Sequence, residues 1–265
     1  MDSPLVTLTT DWGSRDFFEG MVKGRLYATI PSVRVVDITH GIEPFNLIYA
    51  SFVVQHACLG FPPGTIHIID VASIETVDKP FVVVEYEQQY FICQDNGIPF
   101  MSFGDEGRVV QIEMYQDSNF YTFAAYNLFC LVAAKLAQGG TLDDVGTASE
   151  LGQRMSALHY LMRPNGLTAY ILHIDSYGNA YLNITFAEFE KLRNKRSFEA
   201  TIHTEQHVVI REVAPSYDGV NGRASHSKPI FTVSATGLLQ IAIFQESAEQ
   251  LLGLKVYSSI DISFR

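Results

Sequence analysis

The residues best suited to chemistry lie where apolar, strand-like runs give way to polar side chains. Asp11 follows the apolar run at residues 5–8, Asp37 and His40 end a second run, and Asp70 ends a third. Ligands of α/β proteins bind at the carboxyl ends of neighbouring parallel strands, so these side chains are expected to meet at one sheet edge. Carboxylates there suit a sugar diol or a cation. Each aspartate alone is also explained as a helix or turn cap, but three together favour a site.

A second polar cluster follows the strand-like run at residues 170–174. Asp175, Tyr177 and Asn179 are presented within five residues, around Gly178. An acid, an aromatic ring and an amide together suit a stacked, hydrogen-bonded base or an amino-acid head group. The same residues favour a β-turn, because Asp and Asn are common in turns and glycine permits a positive φ. Taken alone, the segment is better explained as a turn.

Other kinds of catalytic centre find little support in the sequence. His67 and Asp70 are three residues apart, which places them on opposite faces of a strand. The patterns HExxH, DxDxDG, GxSxG, GxGxxG and the P-loop are all missing. We therefore expect no metal centre, no nucleophilic serine, and no phosphate-cradling or dinucleotide site.

The elements that must position these residues fall into two domains. Strand-like and helix-like segments alternate through residues 1–157, including a long apolar helix at 123–136, which predicts an α/β domain with a mixed or parallel sheet flanked by helices. A linker is expected at residues 158–166. From 167 to 265 most apolar runs are of β type, which predicts an all-β, barrel-like domain with a polar surface loop at 216–228.

Charge and cysteine content narrow the partners and the compartment. The 265 residues carry a formal net charge of -11, which argues against a nucleic-acid backbone or an anionic membrane as a partner. No apolar run approaches the roughly 20 residues of a membrane span. The three cysteines are widely spaced in apolar sequence and are interpreted as reduced core residues. With no signal-peptide pattern visible, a cytoplasmic location is expected.

Six short motifs follow one another along nearly the whole chain. They are TDWGSRD at residues 10–16, DITHGIEPF at 37–45, FPPGT at 61–65 leading to Asp70, QDNG at 94–97, IDSYGN at 174–179 leading to Asn183, and ATGLLQIA at 235–242. In this order they resemble the motifs of the S-adenosyl-L-methionine (SAM) hydroxide adenosyltransferases, the family that also contains fluorinase and chlorinase. Each motif alone is weak, but six in register are a specific match.

This resemblance implies an enzyme that splits SAM with water, without a metal or cofactor, into adenosine and L-methionine by attack on C5′. It also implies a homotrimer, with SAM or adenosine bound between the N-terminal domain of one subunit and the C-terminal domain of its neighbour. Asp11 corresponds to the carboxylate that holds the ribose hydroxyls. The other ligand-binding positions implied by the resemblance are Asp16, Phe45, Asp175, Tyr177, Asn179, Ala235, Thr236, Gln240 and Phe244.

The reactive half of the implied site departs from the family pattern. Asp70 matches the aspartate that the hydrolases place beside the attacking water, and it is expected to orient that water or accept its proton. The positions of the accompanying arginine and histidine hold Val77 and Ala124. The residues that could replace the missing groups are Ser73, Tyr126 and Asn127.

These departures leave two alternatives to hydrolysis open. One is a protein that binds SAM or adenosine with little or no catalysis. The other is a related transferase that uses another nucleophile or nucleoside. Halogenation ranks below hydrolysis, because fluorinase has a tyrosine at the position of Asp70 and a carboxylate repels a halide.

Overall fold

In the computed structural model, which describes residues 3–115, 122–203, 208–219 and 228–265, a mixed sheet of seven strands runs through the first half of the chain. Its strands are β1 (Leu5–Thr10), β2 (Arg34–Thr39), β3 (Ile66–Asp70), β4 (Phe81–Tyr86), β5 (Gln89–Gln94), β6 (Arg108–Ile112) and β7 (Gly146–Ser149). They lie in the order β2-β1-β3-β5-β4-β6-β7. The first four strands of this order are parallel, and the remaining pairs are antiparallel.

Helices cover both faces of this sheet. They are α1 (Phe18–Thr29), α2 (Leu47–Ala57), α3 (Ile98–Phe103), a π-helical segment (Ala125–Phe129) and α4 (Cys130–Ala137), with short 3-10 turns at Cys58–Gly60 and Leu142–Asp144. One core cluster joins α1 and α4 to Val6 and Leu8, and another joins α2 and α3 to Ile69. The long apolar helix predicted at residues 123–136 is therefore present, but its first part is π-helical.

The strand ends that carry the predicted polar residues meet at one edge of the sheet. β1 lies between β2 and β3 and is parallel to both, with Thr10 opposite Asp70 and Leu8 opposite Asp37. All three strands therefore run toward the same edge, and the loops that follow them leave the sheet side by side. This arrangement brings Asp11 and Asp70 close together.

The second half of the chain is antiparallel. Its strands are β8 (Leu161–Arg163), β9 (Gly166–Ile174), β10 (Ala180–Thr185), β11 (Phe198–Ile202), β12 (Val208–Ile210), β13 (Ile230–Val233), β14 (Leu238–Ala242) and β15 (Ser259–Phe264). They lie in the order β12-β11-β15-β9-β10-β14-β13, with β8 paired to β9. A bridge between Val213 and Phe231 brings the chain after β12 against β13, so the sheet curls into a nearly closed barrel.

Aromatic rings and two helices complete this barrel. Phe189 of α5 (Phe186–Arg193) packs edge-on against Phe198 and Phe231 inside the barrel. Helix α5 begins with a capping box in which Thr185 and Glu188 bond each other's backbone N–H groups. A shorter helix, α6 (Ala248–Leu252), follows β14. The mixed sheet with flanking helices and the barrel-like antiparallel sheet confirm the predicted fold class.

The chain divides into two compact units, Met1–Ala157 and Leu158–Arg265. Strand β8 lies within the stretch that the sequence predicts to be a linker. The cysteines at positions 58, 93 and 130 are buried and free, as expected for reduced core residues. None of the helices in the described ranges is long and apolar enough to cross a membrane.

Candidate active site

A groove of about 430 Å³ opens in the first unit at the carboxyl ends of β1 and β3. Its size lies within the range that is typical of small-molecule sites. Four residues selected from the sequence meet here, namely Asp11, Phe45, Asp70 and Ser73. The other lining residues are Trp12, Phe18, Pro44, Ala72, Ile74, Thr122, Phe123 and Ala124.

Asp11 holds together the two loops that flank this groove. Its Oδ2 atom accepts hydrogen bonds from the backbone N–H of Phe45, at 3.0 Å, and of Ala72, at 3.2 Å. Both donors have a positive φ, 68° and 52°, which residues other than glycine rarely adopt. The carboxylate therefore stabilises two strained turns. Its Oδ1 atom forms no hydrogen bond with a described residue and can accept one from a ligand hydroxyl.

Asp70 is the buried carboxylate of the groove. Its side chain is 6% exposed, and its Oδ2 atom accepts a 2.9 Å hydrogen bond from the Trp12 indole Nε1–H. Burial raises the pKa of Asp70 to about 6, although the Ser73 hydroxyl and the Trp12 indole oppose the shift, and the nearby charge of Asp11 adds to it. A carboxylate with a pKa in this range is suited to accept a proton near neutral pH.

Ser73 lies beside this carboxylate without a regular partner. Its Oγ atom is buried and forms no hydrogen bond of normal geometry within the described ranges, although it is near enough to favour the ionised form of Asp70. A buried hydroxyl without a partner is costly to the fold. Ser73 is therefore placed to contact a ligand or water in the groove.

Trp12 is held between two other rings. It stacks on His40, with ring centroids 5.7 Å apart and an interplanar angle of 18°, and it meets Phe123 edge-on at 5.2 Å. His40 is itself anchored, because its Nδ1 atom lies 2.7 Å from the Thr10 hydroxyl and its Nε2 atom lies 3.1 Å from Asp37 Oδ1. His40 thus packs against Trp12, and Asp37 holds His40 in place. Neither residue lines the groove.

The cluster of Glu19, Asp37 and His40 could in principle attract a cation. Lys23 already forms ion pairs with both carboxylates, because its Nζ atom lies 2.5 Å from a carboxylate oxygen of Glu19 and of Asp37. The lysine ammonium pairs with both carboxylates and offsets one of their two negative charges. This cluster is therefore explained as a network of ion pairs.

Several predicted positions in this unit lie outside the groove lining. Asp16 is exposed in the loop between β1 and α1. Tyr126 is half-buried in the π-helical segment, with the Arg25 guanidinium 5.1 Å above its ring. Of the two positions at which the sequence predicts a departure from the family pattern, Ala124 lines the groove, whereas Val77 is 99% exposed in a turn of the loop after β3.

A second cleft, of about 500 Å³, lies in the barrel unit and includes Tyr177 and Asn179. Its other lining residues are Tyr217, Ile243, Gln245, Glu246 and Ser247.

Asp175 stabilises the loop that contains Tyr177 and Asn179. Its carboxylate accepts hydrogen bonds from the backbone N–H groups of Tyr177 and Asn179, both at 2.9 Å, and from the Asn179 side chain and the Tyr181 hydroxyl. Both oxygens of Asp175 are thus engaged by the turn.

Gln240 lies fully buried next to this cleft. Its Nε2 atom donates a 2.6 Å hydrogen bond to the Tyr217 hydroxyl, and its Oε1 atom is buried without a partner in the described residues. Phe244 is half-buried, and in the sequence it stands between Ile243 and Gln245, which both line the cleft. Ala235 and Thr236 precede β14, whereas four residues of the cleft lining, Ile243, Gln245, Glu246 and Ser247, follow it. The strand's length, about 17 Å, therefore separates Ala235 and Thr236 from that part of the cleft.

Two residues of these sites escape prediction from the sequence. Trp12 is the single tryptophan of the chain and follows Asp11 directly, which is the one signal that could draw attention to it. Tyr217 lies in a segment with the composition of a surface loop, and nothing in its neighbourhood marks it as a partner of Gln240.

Comparison with known proteins assigns the family. The profiles of the SAM hydroxide adenosyltransferase N-terminal and C-terminal domains match residues 6–146 and 169–261. The (R)-S-adenosyl-L-methionine hydrolase of Methanocaldococcus jannaschii is 25% identical, covering 98% of this chain and 96% of its own length. The protein of the same name from Salinispora tropica is 26% identical, with 95% of each chain covered. An uncharacterized conserved protein from Thermotoga maritima superposes with a TM-score of 0.84 at 26% identity, over 97% of this chain and 99% of that one. The chain thus belongs to the SAM hydroxide adenosyltransferase family.

Proposed function

We propose that this protein hydrolyses SAM to adenosine and L-methionine. Family membership and the relatives named as SAM hydrolases support the choice of substrate and reaction. The observation that carries the proposal within this chain is the buried Asp70 carboxylate, which faces a groove whose other carboxylate, Asp11, has an oxygen free for a ligand hydroxyl.

The main task of the protein in this reaction is to place the water and the substrate correctly. The sulfonium already activates C5′, and methionine leaves as a neutral thioether. The oxygen of water bonds to C5′ as the C5′–S bond breaks, and the bonding pair goes to sulfur. The proton lost by the water passes to Asp70 and from there to solvent. The groove must hold the water in line with the C5′–S bond and exclude other solvent.

This chemistry requires neither a metal nor a cofactor, because the substrate supplies its own electrophile. Activity is therefore expected to survive exhaustive treatment with EDTA. A loss of turnover that is restored by adding back one metal ion would contradict this part of the proposal.

We propose that Asp11 binds the ribose hydroxyls through Oδ1, and that Tyr177, Asn179 and Gln240 belong to the part of the site that holds the adenine and methionine ends. Asp175 would then act by shaping the loop rather than by direct contact, since its oxygens are engaged. The predicted contributions of Asp16, Ala235, Thr236 and Phe244 remain predictions of the resemblance.

We further propose that the working form is a homotrimer, in which the groove of one subunit is completed by a neighbour. Supporting this, the groove's loops expose large apolar side chains: Phe45 and Ile74 are each 71% exposed and Val77 is 99% exposed. Apolar patches of this kind commonly mark interaction sites. Light scattering after gel filtration should give three times the 29.6 kDa of the chain. The free cysteines support a reducing, cytoplasmic setting.

The decisive experiment for the reaction uses purified protein, SAM and water labelled with ¹⁸O, with and without chloride. Hydrolysis at C5′ should yield adenosine that carries ¹⁸O in its 5′-hydroxyl, together with methionine. The Asp70→Asn variant is the matched control, because it keeps the shape of the side chain and removes its charge. Chlorinated deoxyadenosine in the chloride arm would instead identify a halogenase.

The second candidate function is a SAM or adenosine binding protein with little catalysis. It is favoured by Ala124, which lines the groove at the position where the hydrolases have a histidine. Isothermal titration with SAM and with adenosine would detect this function. Tight binding, without adenosine release above the Asp70→Asn control, would support it over hydrolysis.

A further inference from the structure

The indole N–H of Trp12 donates a hydrogen bond to the Asp70 carboxylate. The indole Nε1–H lies 2.9 Å from Asp70 Oδ2, and both residues line the groove. Among the described residues no other side chain forms a hydrogen bond of normal geometry with this carboxylate. Oδ1 is therefore the oxygen left to face a water in the groove.

We propose that Trp12 is a positioning residue for the hydrolytic reaction, which acts by fixing the Asp70 carboxylate so that Oδ1 faces the attacking water. This inference rests on the proposed function and assigns to Trp12 a task beyond packing. The indole is the only group in the described ranges that both forms a hydrogen bond with Asp70 and is itself packed against two other rings, those of His40 and Phe123.

The rigidity of the indole is what makes it suitable for this role. The His40 ring covers one face of Trp12, Phe123 meets it edge-on, and His40 is tied in turn to Thr10 and Asp37. A donor on a fixed ring has one direction, whereas a lysine or serine donor can rotate. The carboxylate that accepts this bond is held in one orientation.

The charges around Asp70 make this neutral donor important. Asp11 faces it from the loop after β1 and disfavours ionisation, as burial does. Cys130 of α4 is close enough for Asp70 to raise the pKa of its thiol, and it stays neutral. Within the described part of the chain, no lysine or arginine forms an ion pair with Asp70. The groups that favour the ionised form are therefore the nearby Ser73 hydroxyl and the Trp12 indole, and of these two only the indole forms a hydrogen bond of normal geometry with Asp70.

The alternative is that Trp12 only fills space between His40 and Phe123. The Trp12→Phe variant separates the two, since phenylalanine keeps an aromatic ring and loses the N–H. Loss of a hydrogen bond to a buried charge should move the acid limb of the kcat/KM profile by about one pH unit toward alkaline pH. At pH 6 this is about a fivefold loss of kcat/KM, which narrows as the pH rises. An unchanged acid limb would overturn the proposal.

A second measurement needs no activity and no folded Trp12 variant. Because the chain contains a single tryptophan, protein labelled with ¹⁵N-tryptophan gives one indole N–H signal. We expect this signal to titrate with a midpoint near pH 6, since it reports the ionisation of Asp70. His40 is a second ionisable group against the indole, so His40→Gln and Asp70→Asn are compared.

The two variants decide the assignment. Loss of the titration in Asp70→Asn and its retention in His40→Gln would support the proposal. Retention in Asp70→Asn, or the lack of any titration in the native protein, would overturn it. If native protein fails to release adenosine from SAM while the signal titrates as expected, the proposed function fails and the coupling between Trp12 and Asp70 stands.

Discussion

Replacement of Asp70 by asparagine is expected to abolish hydrolysis and, at neutral pH, to make the first unit more stable. Burial raises the pKa of Asp70 to about 6 in the folded protein, from 3.8 for the unperturbed group. An acid whose pKa is higher when folded binds its proton more tightly in the folded state. Its contribution to stability is therefore full below about pH 4 and is lost as the pH rises to about 6.

The size of this effect follows from the two pKa values. A difference of about two pH units corresponds to about 3 kcal/mol of unfolding free energy above pH 6. Asparagine avoids this loss, because it carries no charge to bury. Its carbonyl oxygen can still accept the hydrogen bond from Trp12. The variant should thus equal the native protein near pH 4 and exceed it by up to about 3 kcal/mol at pH 8.

Urea unfolding followed by tryptophan fluorescence measures this difference, because Trp12 is the single tryptophan and reports on the first unit. Asp16→Asn is the matched control, since it makes the same chemical change at an exposed aspartate. That control should shift stability little at any pH. A stability difference for Asp70→Asn that does not grow between pH 4 and pH 8, or that favours the native protein at pH 8, would refute the reasoning.

Three further predictions concern the loops around the two clefts. Gly178→Ala should destabilise the barrel by roughly 2–4 kcal/mol in thermal unfolding, because its Cβ would lie 2.1 Å from Ser247 Oγ at φ +81°. Gly237→Ala, at φ +79° with open space around it, should cost only about 1–2 kcal/mol, and equal losses would contradict the clash. Asp11→Asn should weaken SAM binding at least about tenfold in calorimetry, since it removes a charge-assisted acceptor; an unchanged Kd would exclude the ribose role. Asp175→Ala should lower the melting temperature of the barrel, whereas an unaltered melting curve would show that its four hydrogen bonds are dispensable.

Much of the fold can be predicted because its signals are local. Alternating apolar runs and glycine turns mark both the α/β half and the β-rich half. Helix α3 has only six residues, too few to show a helical period. Strand β15, by contrast, alternates buried and exposed residues and could be recognised from its sequence. The π-helical segment that leads into α4 depends on packing against the rest of the unit. The run of apolar residues in the sequence does not predict it.

The candidate site also has features that the sequence predicts and features that it does not. Asp11 and Asp70 can be found from the sequence, because parallel neighbouring strands bring their ends together whatever the loops do. The protonation state of Asp70 cannot be predicted from the sequence, because its pKa depends on burial by residues from distant parts of the chain. Asp175 shows a different limit: the turn explanation and the binding explanation use the same residues, and only the hydrogen bonds show that both carboxylate oxygens serve the turn.

The surroundings of Asp70 show what would follow from the predicted absence of an arginine and a histidine at the positions of Val77 and Ala124. An arginine beside this carboxylate would favour its ionised form, lower its pKa and make it a poor acceptor for a proton from water. With Val77 exposed in a turn and Ala124 in the groove, the described chain offers Asp70 neutral donors instead. Its pKa then stays near 6, where a carboxylate is largely ionised at neutral pH and still basic enough to take a proton. A site without an arginine at Asp70 is therefore compatible with catalysis when Trp12 orients the carboxylate, as we propose.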